Sequence, residues 1–206
     1  MRAAARAGRA SPAEMAINAR STIRDVAAVV SQALADAGIT AVLTGGGAVS
    51  VYSANRYRSY DIDFVTGASR RELLRVMAGL GFTPGSGRHF EHPGTRLVVE
   101  FVAWPVTLGD EVVQEWARLP TRSGTLQVLT PTQCVKDRLA AFYHWHDAQG
   151  LEQALMIAAA HRVSLTELSR WSLAEGQSDA FDEFRRRLAA IRQARHKPSR
   201  RPAGGS

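Results

Sequence analysis

The sequence places two aspartates at alternate positions in a short segment of strand-forming residues, Tyr60-Asp61-Ile62-Asp63-Phe64. Because successive side chains of a β-strand point to opposite faces, both carboxylates are predicted to lie on one face and the apolar side chains on the other. Two carboxylates about 4 Å apart repel each other by roughly 4 kcal/mol at an effective dielectric constant near 20. A magnesium ion bound by one or two carboxylates and by substrate phosphates would offset this repulsion.

A third acid interrupts a later apolar segment. Glu100 lies within Leu97-Val98-Val99-Glu100-Phe101-Val102, and burying a carboxylate without a partner is costly. If this segment is a strand beside the one that carries Asp61 and Asp63, the three acids form one cluster. The three are therefore the candidate catalytic residues and metal ligands.

A glycine-rich segment precedes the acids at Leu43-Thr44-Gly45-Gly46-Gly47. A strand that ends in Gly45 and Gly46 lets the backbone approach a ligand closely, and the following helix directs its N-terminal amides at an anion. A triple glycine alone more often forms a tight turn, and an isolated Asp-x-Asp motif more often has no metal. The order of glycine turn, helix, paired acids and later acid is what indicates a phosphate- and metal-binding site.

Capping residues, glycines and apolar alternation predict the elements that would position these side chains. In chain order they are a helix from Ser11 to about Ala37, a strand over Thr40–Thr44, a glycine turn, a helix over Ala48–Asn55, a strand over Tyr60–Val65, a helix over Ser69–Leu80, a hairpin of Arg88–His92 and Thr95–Val102, a strand over Leu126–Leu129, and a helical region from Thr130 to about Ala194.

This order predicts an α/β (α+β) fold, in which a small mixed β-sheet is flanked by helices and followed by a helical C-terminal region. The predicted organisation is a disordered basic tail at 1–10, a core at 11–129, a helical subdomain at 130–194 and a second disordered basic tail at 195–206.

The motif order resembles that of the DNA polymerase β-like nucleotidyltransferases. In that family an apolar residue and Gly-Gly or Gly-Ser precede an Asp-x-Asp motif, and a carboxylate follows on a later strand. Residues 43–100 match these parts in order. Within the family, Arg58-Ser59-Tyr60-Asp61-Ile62-Asp63-Phe64 is similar to the nucleotidyltransferase toxins of abortive-infection toxin–antitoxin systems.

The resemblance implies a nucleotidyltransferase core that moves a nucleoside monophosphate from an NTP such as ATP to a hydroxyl group and releases pyrophosphate. Asp61 and Asp63 would hold Mg²⁺ on the triphosphate, and Gly45 and Gly46 would cradle the phosphates. Glu100 would help to bind a second metal ion and would take the proton of the acceptor hydroxyl.

Three further residues are candidates for nucleotide binding. Arg58 and Ser59 precede the first aspartate, and Lys136 is similar to the lysine that the toxins use near the nucleotide. Each of the two cations also has a simpler interpretation, since Arg58 could be a surface charge at the start of a strand and Lys136 an exposed helix lysine.

The sequence does not decide which molecule carries the acceptor hydroxyl. The candidates are an RNA or tRNA end, a protein side chain and a small molecule of the antibiotic type. A basic rim around the site would favour nucleic acid, and an acidic cleft would favour a cationic small molecule. The non-enzymatic alternative is a nucleotide-binding or regulatory module of the same fold, with a toxin or antitoxin protein as a possible partner. The presence of all three acids favours the enzyme.

The charge distribution bears on the partners. The chain has 206 residues and a net charge of +7. Residues 1–20 hold four basic and one acidic side chain, residues 185–206 hold eight basic and none acidic, and the remainder holds 14 basic and 18 acidic. The basic termini could follow a phosphate backbone such as that of RNA, although a solvated helix end and tail is the favoured interpretation of this composition. No apolar segment is long enough to cross a bilayer, so we expect a cytoplasmic protein without membrane association.

Other groups that could do chemistry are interpreted as structural. The single cysteine, Cys134, has no evident activator. His144 and His146 would project about 200° apart on a helix, so they are poorly placed to share one ion. Four aromatic residues of the C-terminal region are interpreted as helix-packing residues, namely Phe142, Tyr143, Trp145 and Trp171.

Overall fold

A computed structural model of the chain describes residues 17–196, which contain seven helices and nine strands. The helices are α1 (Ile23–Asp36), α2 (Gly45–Tyr52), α3 (Arg70–Gly79), α4 (Pro131–Trp145), α5 (Ala148–Ala160), α6 (Leu165–Ala174) and α7 (Ser178–His196). The strands are β1 (Ala41–Leu43), β2 (Asp61–Thr66), β3 (Thr83–Pro84), β4 (His89–Glu91), β5 (Val98–Ala103), β6 (Thr107–Leu108), β7 (Glu111–Val112), β8 (Ala117–Thr121) and β9 (Gly124–Val128). The predicted tail at 1–10 and positions 197–206 of the other tail lie outside these residues.

Seven strands form one mixed sheet in the order β3-β4-β5-β2-β1-β9-β8, and β6 and β7 form a separate hairpin. β2 runs parallel to β5, and β1 runs parallel to β9 but antiparallel to β2. The helices flank this sheet and continue through the C-terminal third of the described chain. The predicted α+β fold class is therefore confirmed.

The apolar faces of the central strands form part of the core. Ile62 and Phe64 of β2 are fully buried. Phe64 stacks on Phe101 of β5 at 6.0 Å, and Phe101 meets Phe90 of β4 edge to face at 5.5 Å. The alternation of apolar and acidic residues in β2 thus gives one buried face and one face that carries the two aspartates, as predicted.

Local capping residues set the ends of two helices as predicted. Ser69 and Glu72 form a capping box at the start of α3, and Thr130 and Gln133 form another at the start of α4. Each box satisfies helix-end amides that would otherwise lack a partner.

Two helix boundaries differ from the prediction. Residues 17–22 are not helical, because Thr22 and Asp25 form the capping box that starts α1 at Ile23. The predicted start at Ser11 lies outside the described residues. The glycine segment is not a separate turn before a helix at Ala48, since α2 already begins at Gly45.

The sequence also underestimated the number of elements. Ala117–Thr121 is a strand, β8, which forms a hairpin with the predicted strand at 126–129 through the pair Leu119–Leu126. The short strands β3, β6 and β7 were not predicted, and the helical region after Thr130 consists of four separate helices. None of the helices in residues 17–196 has the length and apolar character needed to cross a membrane.

Candidate active site

The parallel pairing of β2 and β5 places the three candidate acids on one face of the sheet. Asp63 is the register partner of Glu100, and Asp61 is the partner of Val98. Since side chains two positions apart share a face, Asp61, Asp63 and Glu100 point to the same side of neighbouring strands, which lie about 4.8 Å apart. The predicted proximity of the acid-bearing strands is confirmed.

The acids act on one another electrostatically. Burial, followed by the negative charges of Glu100 and Asp61, raises the pKa of Asp63 to about 6. The guanidinium of Arg138 opposes this effect. Asp63 is therefore a partly buried carboxyl in a locally negative environment, as expected where a cation is to be bound.

Glu100 has partners on the neighbouring strand. Its carboxylate lies 3.2 Å from Nε2 of His89, the register partner of Glu100 on β4, and 3.4 Å from Nη2 of Arg88. Within residues 17–196, no three or more His, Cys, Asp or Glu side chains are arranged to hold a metal ion. The structure thus brings the three acids onto one face without forming a three-carboxylate cage.

Asp61 and Asp63 are the residues that fit a magnesium ion. Carboxylate oxygens are ligands that Mg²⁺ prefers, and it commonly binds through one or two carboxylates together with substrate phosphates and water. The pKa of Asp63 is raised first by burial and then by the charges of Glu100 and Asp61, and a bound cation would offset both effects. Glu100 lies beside this pair but is held by Arg88 and His89, so its role as a metal ligand stays a prediction.

The first glycine of α2 lies directly against Asp63. Gly45 has a positive φ of 58°, and a Cβ atom there would lie 2.7 Å from Oδ2 of Asp63. The Thr44 amide donates to the Asp63 carbonyl at 2.9 Å, and no side chain caps the start of α2. The uncapped N-terminus of α2 therefore lies beside the acids, where its amides and dipole favour an anion such as a phosphate.

Ser59 connects α2 to the start of β2. Its amide donates to Oγ of Ser50 at 3.0 Å, while its own Oγ accepts from the Asp61 amide at 3.2 Å. The Ser50 hydroxyl in turn donates to the Gly46 carbonyl at 3.1 Å. A Cβ atom at Gly46 would lie 3.0 Å from Oγ of Ser59. These contacts fix the position of Asp61 relative to the glycine segment, and direct contact of Ser59 or Gly46 with a nucleotide stays a prediction.

Arg58 lines a pocket that includes the residues just before β2 and β5, which we call the Arg58 pocket. Its volume is about 570 Å³, and its lining includes Arg58, Ser59, Tyr60 and Arg96. Among the described residues that line it, none is acidic. The side chain of Tyr60, the residue before Asp61, is 65% exposed. This basic pocket fits a phosphate-bearing molecule better than a cationic one.

Lys136 is not the exposed lysine of its simpler interpretation. Its side chain is 1% exposed, and Nζ lies 2.7 Å from Oε2 of Glu111 and 2.9 Å from Oε1 of Glu167. These ion pairs join α4 to β7 and α6. A contact of Lys136 with phosphates stays a prediction, but its ammonium already has two carboxylate partners.

Sequence reasoning missed Arg138, whose charge acts on Asp63. The Arg138 side chain is 17% exposed and lies 2.7 Å from Oδ2 of Asp137, and its Nη1 donates to Gln153 at 3.3 Å. Because residues two apart on a helix project about 200° from each other, Arg138 and Lys136 face opposite sides of α4. The spacing of Lys136 and Arg138 on one helix could have indicated that only one of these two cations faces the acids, and that Arg138 was a candidate as well as Lys136.

The ion pairs of Lys136 with Glu111 and Glu167 give a stability prediction. Replacing both acids (Glu111→Gln with Glu167→Gln) leaves a buried ammonium without a counter-charge, so we expect the free energy of unfolding to fall by about 3 kcal/mol. Lys136→Met should cost less than about 1 kcal/mol, because the two glutamates are partly exposed and can hydrate. Urea unfolding of the two variants measures both values. An unfolding free energy unchanged by the double substitution would contradict the assigned ion pairs.

The cysteine and histidines that the sequence analysis interpreted as structural have the following surroundings. Cys134 is fully buried, and burial raises the pKa of its thiol. His144 pairs with Glu175 at 3.0 Å, while His146 ends α4 with a positive φ of 52°.

Two of the four aromatic residues, Tyr143 and Trp171, stack on each other at 5.7 Å inside the helical region, and Phe142 is partly buried against the core. Trp145 is 74% exposed, so its interpretation as a packing residue is wrong. It lies at the last position of α4, beyond the buried face of that helix.

The fold has counterparts among solved structures. No protein-family model matches the sequence, and the search of curated proteins finds no match. The chain is similar to an antigenic nucleotidyltransferase-like protein from Paracoccidioides brasiliensis, at 16% identity over 88% of this chain and 97% of that one, with a TM-score of 0.62. This similarity shows that the chain shares its fold with a nucleotidyltransferase-like protein, which is consistent with the predicted core.

Two structures of the antibiotic-resistance factor ANT(2'')-Ia also match, one of them in complex with adenylyl-2''-tobramycin. Their TM-scores are 0.40 and 0.42, at 16% and 15% identity. The matches cover 82% and 80% of this chain and 94% and 97% of those chains.

Proposed function

We propose that the chain is a magnesium-dependent nucleotidyltransferase that moves a nucleoside monophosphate from an NTP, such as ATP, to a hydroxyl group of an RNA end or a protein side chain. The observation that carries this proposal is the arrangement of Asp61 and Asp63 on one face, with Glu100 beside them and the uncapped N-terminus of α2 against Asp63. Nucleotidyl transfer needs this combination of acids and phosphate-binding amides.

Each part of the site has a role in this reaction. Asp61 and Asp63 would hold Mg²⁺, which supplies charge neutralisation on the triphosphate. The first-turn amides of α2 bind phosphate oxygens, and the absence of a side chain at Gly45 leaves the backbone open to the ligand.

The chemical step forms one phosphate ester bond and breaks one phosphoanhydride bond. The acceptor oxygen attacks the α-phosphorus in line with the leaving pyrophosphate. Glu100 takes the proton of the acceptor hydroxyl, while Arg88 and His89 orient its carboxylate.

An RNA acceptor is favoured by the Arg58 pocket. Its two arginines and its exposed Tyr60 lie at the start of the strand that carries the acids, and such a pocket suits a phosphate backbone with a base that stacks on the tyrosine. A toxin–antitoxin role and a partner antitoxin are further parts of the proposal that derive from the resemblance of Arg58–Phe64 to the toxins.

The direct test supplies each α-labelled NTP with magnesium to total RNA, mixed protein and aminoglycosides. We expect label in RNA or in protein. Label confined to aminoglycosides would replace the acceptor assignment with a small molecule. Magnesium-dependent NTP binding without transfer to any acceptor would favour a non-catalytic nucleotide-binding module, and absence of NTP binding would overturn the proposal.

The Arg58 pocket gives a prediction for the RNA acceptor. In the double variant Arg58→Ala/Arg96→Ala, we expect KM for RNA to rise at least about tenfold, because two phosphate contacts are lost, and the salt dependence of binding to become shallower. Arg118→Ala is the matched control, since Arg118 is an exposed arginine on the edge strand β8 and does not line the pocket. Equal KM values for both variants would remove the Arg58 pocket from acceptor binding.

A further inference from the structure

A second pocket lies at the opposite end of the acid-bearing strand. The parallel strands β2 and β5 end side by side at Thr66 and Ala103, and a cavity of about 350 Å³ lies against these two ends and against α3. In open α/β sheets, ligands commonly bind in the crevice outside the carboxyl ends of strands. We call this cavity the Trp104 pocket; its lining includes Arg70, Leu73, Arg88, Phe90, Phe101 and Trp104.

The Trp104 pocket is basic. Arg70 and Arg88 line it, and no acidic residue occurs among its described lining residues. Arg70 is held in place, because Nη1 donates to the Gly87 carbonyl at 2.9 Å and the guanidinium lies 6.0 Å from the centre of the Phe90 ring. A cation fixed in this way loses little conformational freedom when an anion binds.

The pocket also offers an aromatic surface. Trp104 is 40% exposed, and its ring meets that of Trp116 edge to face at 5.7 Å. Trp116 is itself held by a hydrogen bond from Nε1 to Oε1 of Gln127 at 2.8 Å. A further cavity of about 440 Å³ borders Trp104 and shares Thr66, Gly67 and Ala68 with the first. The indole therefore stands in a supported position with open space beside it.

We propose that the Trp104 pocket binds a nucleotide, with its base against the indole of Trp104 and its phosphate between Arg70 and Arg88. An aromatic ring beside two guanidiniums matches the two chemical parts of a nucleotide, the flat heterocycle and the anion. The volume lies within the range of small-molecule pockets. This site is separate from the proposed NTP site, since Thr66 lies three residues, about 10 Å, along β2 from Asp63.

The position of Arg88 connects the pocket to the acids. Arg88 lines the Trp104 pocket and also lies 3.4 Å from the Glu100 carboxylate. A phosphate bound to Arg88 competes with Glu100 for the same guanidinium. A nucleotide in this pocket thus changes the partners of the acid to which the proposed reaction assigns the proton transfer, which makes the pocket regulatory.

The test measures AMP binding to the full chain in EDTA, by calorimetry and by tryptophan fluorescence. We expect saturable binding of AMP that weakens at least tenfold in Arg70→Ala and in Trp104→Leu, and at least tenfold for adenosine, which lacks the phosphate. Arg71→Ala is the matched control, because Arg71 is an exposed neighbour on α3 that does not line the pocket; its affinity should stay within twofold of the wild type.

The variant Asp61→Asn/Asp63→Asn distinguishes this pocket from the proposed NTP site. Its affinity for AMP in EDTA should match that of the wild type within twofold. The proposed second site would be overturned if AMP showed no saturable binding. It would also be overturned if AMP binding were lost in Asp61→Asn/Asp63→Asn but kept in Arg70→Ala and Trp104→Leu. Because the assay contains no magnesium and measures no transfer, a protein without transferase activity could still bind AMP in the Trp104 pocket.

Discussion

Replacing both Asp61 and Asp63 by asparagine is expected to lower nucleotide transfer at least about 1,000-fold. Removal of a single preorganised electrostatic contact in an active site already costs 100- to 1,000-fold, and this variant loses both carboxylates that fit a magnesium ion. Asparagine keeps the size of each side chain, so the strand pairing of β2 with β5 should persist. Incorporation of α-labelled NTP into the acceptor measures the loss.

A matched control separates this effect from the loss of any surface acid. Asp182→Asn removes an exposed acid of α7 that pairs with the exposed Arg185, and transfer should stay within twofold of the wild type. Thermal unfolding of both variants checks that the fold is intact. Transfer that survives in the folded Asp61→Asn/Asp63→Asn protein would show that these acids do not serve the reaction.

The acid-bearing strand was predictable because its signals are local. Alternation in β2 determines which residues share a face, and the hairpin of β4 and β5 follows from two apolar segments around Pro93-Gly94. The parallel pairing that brings Glu100 beside Asp63 is a long-range contact, so the sequence alone could not show that the two strands are neighbours. The motif order from Gly45 to Glu100 favoured this pairing, and the observed register of β2 and β5 confirms it.

Other features depend on tertiary contacts that no local pattern reports. Arg88 and His89 turn toward Glu100 because β4 pairs with β5 in one particular register. Lys136 is buried because β7 and α6 bring two glutamates to it. β8 contains Pro120, which an edge strand such as β8 tolerates.

Asp63→Asn is expected to stabilise the folded protein at alkaline pH. The pKa of Asp63 rises from 3.8 to about 6 on folding, mainly through burial and then through the charges of Glu100 and Asp61. Below about pH 3 the carboxyl is protonated in both the folded and the unfolded state, so it has no effect on the pH dependence of stability. As the pH rises toward 6, the unfolded state ionises first, and the folded state loses stability relative to it.

Above pH 6 this penalty is complete and corresponds to roughly 3 kcal/mol. Asparagine does not ionise, so urea unfolding at pH 8 should show Asp63→Asn to be more stable than the wild type by up to about 3 kcal/mol. The difference should shrink toward zero near pH 3. Asp61→Asn is the matched control, since Asp61 is exposed, and it should change the unfolding free energy by less than about 1 kcal/mol at either pH.

The two Asp63 predictions together distinguish a functional carboxylate from a structural one. Replacing a carboxylate that stabilises the fold lowers the free energy of unfolding. A carboxylate that serves ligand binding instead opposes folding through its negative charge until a bound cation compensates that charge. Stabilisation at pH 8 combined with lost transfer would therefore assign Asp63 to ligand binding. A variant that is less stable than the wild type at pH 8 would instead mean that the folded protein already compensates this charge, with Arg138 as the cation that opposes the raised pKa.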